Sequence, residues 1–369
     1  MKRIVIVSLF VLAIIFTMDS NAQEKGLRKI KFHGDVRFRS ELDRNSKRID
    51  GSERNDRDRL RYRMRFGFKY VLTKNIEFGG RIRSGNPMNQ QSPHVTLGKE
   101  FHSDAFSIDK AYLKVKLNKS FWAWAGKNGM PFWKQNELLW DGDVNPEGLT
   151  LGSSFAIGEN AELTSVLGYF ITDHSGKNFG DDSALTLAQV KYRNKLGEDS
   201  FVFSTGIING KDIPNKPDGT GTFFMEYNIW ASSLQFNLKK AGFTFGLDFF
   251  KNLEDYKNKE DIEDVYKDQT IGYVGSVKFA TKKFQWGYYY AHIEKYAVID
   301  FLAQDDWLRW GNRDYTRSSN FAGHEFRMKY KIAENFNMVW RAYFIEGLET
   351  TGVNLETGTR VRLDFNIKF

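Results

Sequence analysis

The amino-acid sequence predicts an all-β fold: a transmembrane antiparallel β-barrel of about sixteen strands, with short periplasmic turns and long extracellular loops. Three observations carry that expectation. Apolar and polar side chains alternate in one segment after another, short and long connections alternate between those segments, and the chain closes on an alternating strand with an aromatic last residue.

The alternation is clearest at 59–72, RLRYRMRFGFKYVL. Leu60, Tyr62, Met64, Phe66, Phe68, Tyr70 and Leu72 share one parity; Arg59, Arg61, Arg63, Arg65 and Lys69 share the other. A period of two is that of a strand, whose successive Cβ atoms point to opposite sides of the sheet. A strand apolar on one face and studded with guanidiniums on the other suits a wall between lipid and water. A secreted soluble sandwich also alternates, but it must bury its apolar face against a second sheet, and it does not sort its loops by length between two rims.

Ahead of the first strand the chain reads as an export signal. Met1, Lys2 and Arg3 precede an apolar run from Ile4 to Phe16, and Ser20, Asn21 and Ala22 supply the small residues a signal peptidase reads. That run is too short to span ~30 Å of hydrocarbon. Residues 1–22 are therefore expected to be removed after Ala22, leaving 23–369 as a single barrel domain. Losing two cations and one acid (Lys2, Arg3, Asp19) takes the formal charge from +8 to +7. The chain has no cysteine, so the new N-terminus cannot be lipidated there. An exported basic protein meets acidic solutes and lipopolysaccharide rather than nucleic acid.

In chain order the alternation marks strands at 30–42, 59–72, 76–84, 107–117, 121–128, 148–157, 161–171 and 184–193, then at 200–208, 223–238, 243–251, 269–279, 284–295, 321–331, 336–345 and 360–369. The segment 148–157 alternates least cleanly. Short connections such as 73–75, 118–120, 158–160, 280–283 and 332–335 follow the even strands. Long polar ones follow the odd strands: 43–58, 85–106, 129–147, 172–183, 209–222, 252–268, 296–320 and 346–359. All six prolines (Pro87, Pro93, Pro131, Pro146, Pro214, Pro217) fall in the long connections, as expected of a residue that cannot donate to a ladder.

The last strand, RVRLDFNIKF, sets Val361, Leu363, Phe365, Ile367 and Phe369 on one face. It must pair with the first strand to leave no open edge in lipid, and its terminal Phe369 resembles the signal read by the barrel-assembly machinery. Tyr62, Tyr70, Trp230, Trp286 and Trp340 lie near strand ends, where interfacial girdles belong.

Closure makes 360–369, 30–42, 59–72 and 76–84 contiguous. Their water-facing parity carries Arg37, Arg39, Arg59, Arg61, Arg63, Arg65, Arg81, Arg83, Arg360 and Arg362, with Lys31, Lys69 and Lys368. Arg37, Arg63, Arg65, Arg81 and Arg362 fall near mid-height. Guanidiniums stay charged at any working pH, and arginine ladders favour anions in pores. Asp35, Glu41, Glu77 and Asp364 offset part of that field. The third long connection, GMPFWKQNELLWDGDVNPE at 129–147, sets the acids Glu137, Asp141, Asp143 and Glu147 among Phe132, Trp133, Leu138, Leu139 and Trp140. External loops seldom carry such an apolar cluster, so this one is expected to fold inward and set its acids across an eyelet from the arginines; the alternative is a turn at 145–148 with aromatics packed under the rim.

At these residues the chain resembles a family. WDGDVNPEGL at 140–149, preceded by GKNGMPF at 126–132, and the arginine-rich DVRFRSEL (35–42) and RLRYRMRFGFKY (59–70), are similar to the "Putative porin" family of Gram-negative outer membranes. The resemblance implies a general-porin-like, water-filled diffusion channel. Loop 296–320 departs from it.

Catalysis finds no constellation. The six histidines (His33, His94, His102, His174, His292, His324) are scattered, with His33 and His292 on the expected water-facing side and His324 outward; none is paired at metal-ligand spacing. The acidic run 254–268 reads as a solvated loop. No catalytic residue, metal or cofactor is nominated. The expected function is passive diffusion of small hydrophilic solutes across the bacterial outer membrane with anion preference. Alternatives are a substrate-selective channel for phosphate, carboxylates or acidic sugars and, behind it, an outer-membrane hydrolase. Outer-membrane lipid, lipopolysaccharide and a homotrimeric assembly, on analogy of barrel size, complete the expected partners.

Overall fold

The computed structural model describes residues 30–369 except 99, 177, 215–223 and 308–317. The expected signal peptide and its cleavage site lie outside the described residues. Sixteen strands form the wall: β1 (Ile30–Lys47), β2 (Arg57–Thr73), β3 (Ile76–Arg83), β4 (Ser107–Lys116), β5 (Phe121–Lys127), β6 (Glu147–Ile157), β7 (Ala161–Asp173) and β8 (Ser183–Leu196), then β9 (Asp199–Pro214), β10 (Phe224–Leu238), β11 (Phe243–Asn252), β12 (Ile271–Ala280), β13 (Phe284–Ile293), β14 (Phe321–Ala333), β15 (Phe336–Gly347) and β16 (Thr357–Lys368). Two-residue ladders at Glu53–Arg54 and Val95–Thr96 extend the long-loop rim. Neighbours pair antiparallel throughout, and β1 pairs with both β2 and β16, so the sheet is closed.

The alternation sorts side chains as the period of two requires. Leu60 and Met64 are 60 % and 42 % exposed, whereas Arg61 and Arg63 between them are at 8 % and 5 %. The apolar side chains therefore point outward to lipid and the guanidiniums inward. At the seam, Phe369 donates its N–H to Gly34 O (3.1 Å) and Gly34 donates to Phe369 O (2.9 Å). A Cβ on Gly34 would stand 2.6 Å from the Phe369 ring and 2.5 Å from Arg65 O, so this closure needs a residue without a side chain.

Every strand expected from the alternation is present, with ends shifted by a few residues. The largest shifts extend β1 to Lys47 and β9 to Pro214, because those hairpins keep pairing above the membrane. Pro214 thereby corrects the placing of all prolines in loops. It ends β9 opposite Phe224, beyond a register break between Gly210 and Ile213, where a missing N–H costs no ladder bond.

A second correction concerns the interior. In the outer half of β7–β13 the inward face is apolar: Phe170, Leu185, Leu187, Ile208, Ile229, Phe250, Val274, Ala291 and Ile293 are buried in one cluster. Two inward-folded loops supply its other side, through Phe132, Leu138, Trp140 and Val144 in 128–146 and Ala297–Ala303 in the connection after β13. The loops pack against that sector and leave beside them a cavity of about 810 Å³ bordered by Trp140, Phe170, Leu185, Lys127, Glu147 and His174, while the arginines line the polar lumen on the other side.

Candidate channel constriction

Loop 128–146 leaves β5 and crosses the barrel. Its Trp133 exchanges hydrogen bonds with the Gln189 side chain of β8 (2.8 and 3.0 Å). Gln135 donates to Leu234 O of β10 (3.0 Å) and to Asp248 of β11 (3.0 Å), and Asn136 donates to the second Asp248 oxygen (2.6 Å). Gly246 makes room there, since an added Cβ would collide with Gln135 Oε1. The loop then reaches the arginine wall: Asp143 accepts from Arg65 Nη1 (2.5 Å) and Arg63 Nη1 (3.4 Å), while Asp35 holds the other ends of both guanidiniums (2.8 and 2.6 Å).

Two chambers of about 440 Å³ and 360 Å³ lie along the remaining polar lumen. The first is on the long-loop side and the second on the short-turn side. Both are lined by Arg37, Arg63 and Arg65 from β1–β2, Arg327 and Arg341 from β14–β15, Tyr289 from β13, and Gln135 from the crossing loop. Where the chambers meet is therefore a ring of five guanidiniums closed by one amide and one phenol.

The ten arginines expected on the wall divide into groups. Arg37, Arg63 and Arg65 reach this ring. Arg81 bonds Asp109 (2.5 Å) and lines a separate cavity on the short-turn side with Lys31, Lys69 and Lys110. Arg83 donates to Asn89 O and Gln90 O and holds the second long loop. Arg39, Arg59, Arg61, Arg360 and Arg362 converge on Glu41, Asp43, Asp364 and Asp306 in a buried network. This network corrects their placing on an open aqueous wall. The burial cost of so many guanidiniums is offset only by pairing, and the pairing holds a loop: Arg360 also donates to Asp305 O (3.2 Å) and Asp306 O (3.0 Å).

The acids of the third loop also divide. Burial works to raise the Asp143 pKa, but Arg63 and Arg65 outweigh it and hold it at about 2. Burial beside Glu137, Asp143 and Asp305 pushes Asp141 well above its ordinary value. Asp141 also donates its N–H to Leu302 O (2.7 Å), tying the two inward loops together. Glu137 lines the outer chamber. Glu147 does not join them: it opens β6, exposed and paired with Lys127 (2.7 Å), because the chain has left the lumen by then.

Three features escape a reading of sequence alone. Arg327, Arg341 and Tyr289 lie on strands far from the arginine-rich start, and only closure brings them opposite it. Residues 296–307 of the connection after β13 fold inward, and their run AVIDFLAQDDW carries the same apolar-plus-acid signature that flagged the third loop. His94 is buried among Arg37, Arg39, Arg61 and Arg63; burial first, then those charges, keeps its ring neutral. His33 lines the short-turn-side cavity. His292, expected to face water, points outward and stacks on Tyr273 at 4.9 Å, since even numbers in β13 face lipid. His324 is outward, 2.8 Å from Tyr288 OH.

A closed sixteen-stranded antiparallel barrel with a loop crossing its lumen is a porin-like fold. Residues 49–207 match the family described as "Putative porin", which bears out the resemblance read from the sequence. Among solved structures the chain is similar to OmpF of Salmonella typhi in complex with daunomycin, at 9 % identity over 93 % of this chain and 98 % of that one (TM-score 0.56). It is also similar to an engineered Rhodopseudomonas blastica porin, at 11 % identity over 92 % and 100 % (TM-score 0.51). OmpT of Vibrio cholerae lacking loop L8 aligns at 11 % identity over 92 % and 99 % (TM-score 0.51). At such identities the likeness is one of fold. No curated protein matches the sequence. Family match and fold together support an outer-membrane channel.

Proposed function

We propose that the chain is a passive outer-membrane channel for small hydrophilic solutes, with preference for anions. The observation that carries this reading is the ring where the chambers meet, where Arg37, Arg63, Arg65, Arg327 and Arg341 surround the polar path. Permanent charges in a narrow lumen bias which ion enters, and diffusion needs no further chemistry. Asp35, Asp143, Glu325 and Asp364 lie against these arginines, so the bias is moderate. In this reading residues 1–22 are an export signal cut after Ala22, and 23–369 form the barrel domain.

A homotrimer fits the wall. Strands β3 and β5 have 8 and 7 residues, and at the usual tilt seven residues rise roughly 17 Å, short of an apolar band ~25 Å tall. Phe78, Ile82, Ile108 and Phe121 are exposed on that low sector, where a neighbouring copy would complete the cover. Reversal potentials in planar bilayers under a salt gradient test the main reading: the expected sign is that of an anion-preferring pore, and a cation-selective sign would overturn it.

A further inference from the structure

The two chambers differ in charge although they share the ring. Six cationic side chains and six acids, one of them the upward-shifted Asp141, line the outer one, so it is close to balanced. Eight cations and a single acid, Asp35, line the inner one. The surplus comes from lysines on strands the arginine-rich start does not include. Among the described residues no carboxylate lies within ion-pair distance of Lys278, Lys329 or Lys368, whereas Arg327 is held by both Glu325 oxygens (2.6 and 2.9 Å) and Arg341 by Asp364 (2.8 Å).

We propose that this inner chamber is a binding station for small oxyanions carrying two or more negative charges, held by Lys278, Lys329 and Lys368 beside the guanidiniums of Arg327 and Arg341. This rests on the anion-channel reading and deepens it by naming the favoured solute. Register brings the groups together: Lys278 of β12 lies across from Gly287 of β13, which lies across from Arg327 of β14, which lies across from Arg341 of β15. Gly287 puts no side chain between Lys278 and Arg327. Arg327 stacks over Tyr289 at 4.7 Å while Glu325 grips it, so its plane is set in advance of any ligand. The lysines are point charges on flexible stems and adapt to the oxyanion's shape. A single chloride leaves most of the surplus uncompensated; a phosphate or a small polycarboxylate offsets several charges at once. At about 360 Å³ the chamber lies at the small end of ligand-sized cavities, which sets the size class.

The test uses single channels of the full protein in bilayers with chloride as carrier. Inorganic phosphate, and separately citrate, is added to one side and then the other. The expected result is saturable reduction of the chloride current, stronger from the short-turn side, with Lys278→Gln plus Lys329→Gln raising the half-blocking concentration about tenfold. Calorimetric titration of phosphate into detergent-folded protein gives the same comparison without conduction, and heat-modifiable gel migration confirms that the variant is folded. Block equal from both sides and unchanged in the variant, in a channel whose reversal potential is still anionic, overturns the binding station alone. A cationic reversal potential overturns the anion channel and the station with it.

Discussion

Replacing Arg63 and Arg65 together by alanine tests the ring most directly. Both guanidiniums line both chambers, and both are shared between Asp35 and Asp143. Removing them deletes two positive charges and leaves those two carboxylates without their partners. In water a unit charge ~5 Å from a passing ion is worth about 0.8 kcal/mol, and screening in 0.1 M salt leaves roughly half. Two charges, acting with opposite sign on anion and cation, then change their permeability ratio by roughly 1.6 kcal/mol, a little over tenfold. The assay is the reversal potential under a salt gradient, which should move toward the cation side. Arg63→Lys with Arg65→Lys separates charge from loop anchoring: it keeps the field, loses the forked contact with Asp143, and should leave the reversal potential near that of the unaltered protein. An unchanged reversal potential in a folded, conducting alanine variant would refute the assignment of selectivity to this ring.

Other outcomes follow from the same geometry. Asp143→Asn frees Arg63 and Arg65 without removing them, so anion preference should rise in the same recordings. Asp143 sits at about 2 in the fold against an ordinary 3.8; the stability it contributes is therefore complete above about pH 4 and lost as pH falls through about 2, seen as a drop in the unfolding midpoint across that window. Gly246→Val should unseat Gln135 from β10 and β11, raising single-channel conductance while the barrel still shows heat-modifiable migration. Gly34→Leu, which collides with Phe369 and the Arg65 carbonyl, should reduce the folded fraction in the outer membrane, read by the same gel shift.

The strands were legible because lipid imposes a strong rule: most outward side chains are apolar and every backbone group must be paired, so the period of two survives even in β6. The crossing of loop 128–146 was legible for a related reason, since Trp133, Leu138, Leu139 and Trp140 have no use in water. What could not be read was position around the circumference. Arg63 and Arg341 are far apart in sequence and share a ring only because the sheet closes. The alternation also states polarity without separating an open lumen from a buried ion network, so Arg362 and Arg37 look alike in sequence yet one anchors a loop and the other borders the path. Leu185 and Leu187 did carry a signal: β8 opens with SALTLA, which holds no charged residue on either face and sets two leucines on the inward parity, marking a sector packed against protein on its inner side.

That sector has a consequence before the barrel exists. Strand β7 presents Leu167 and Tyr169 outward and Phe170 inward, and β8 presents Val190 outward and Leu187 inward. While the exported chain waits in the periplasm, this half offers sticky surface on both sides, whereas the arginine-bearing half repels its own kind. Escort by holdase chaperones should therefore fall chiefly on 161–252, and aggregates formed when such escort is depleted should be cross-linked through that stretch rather than through the first two strands.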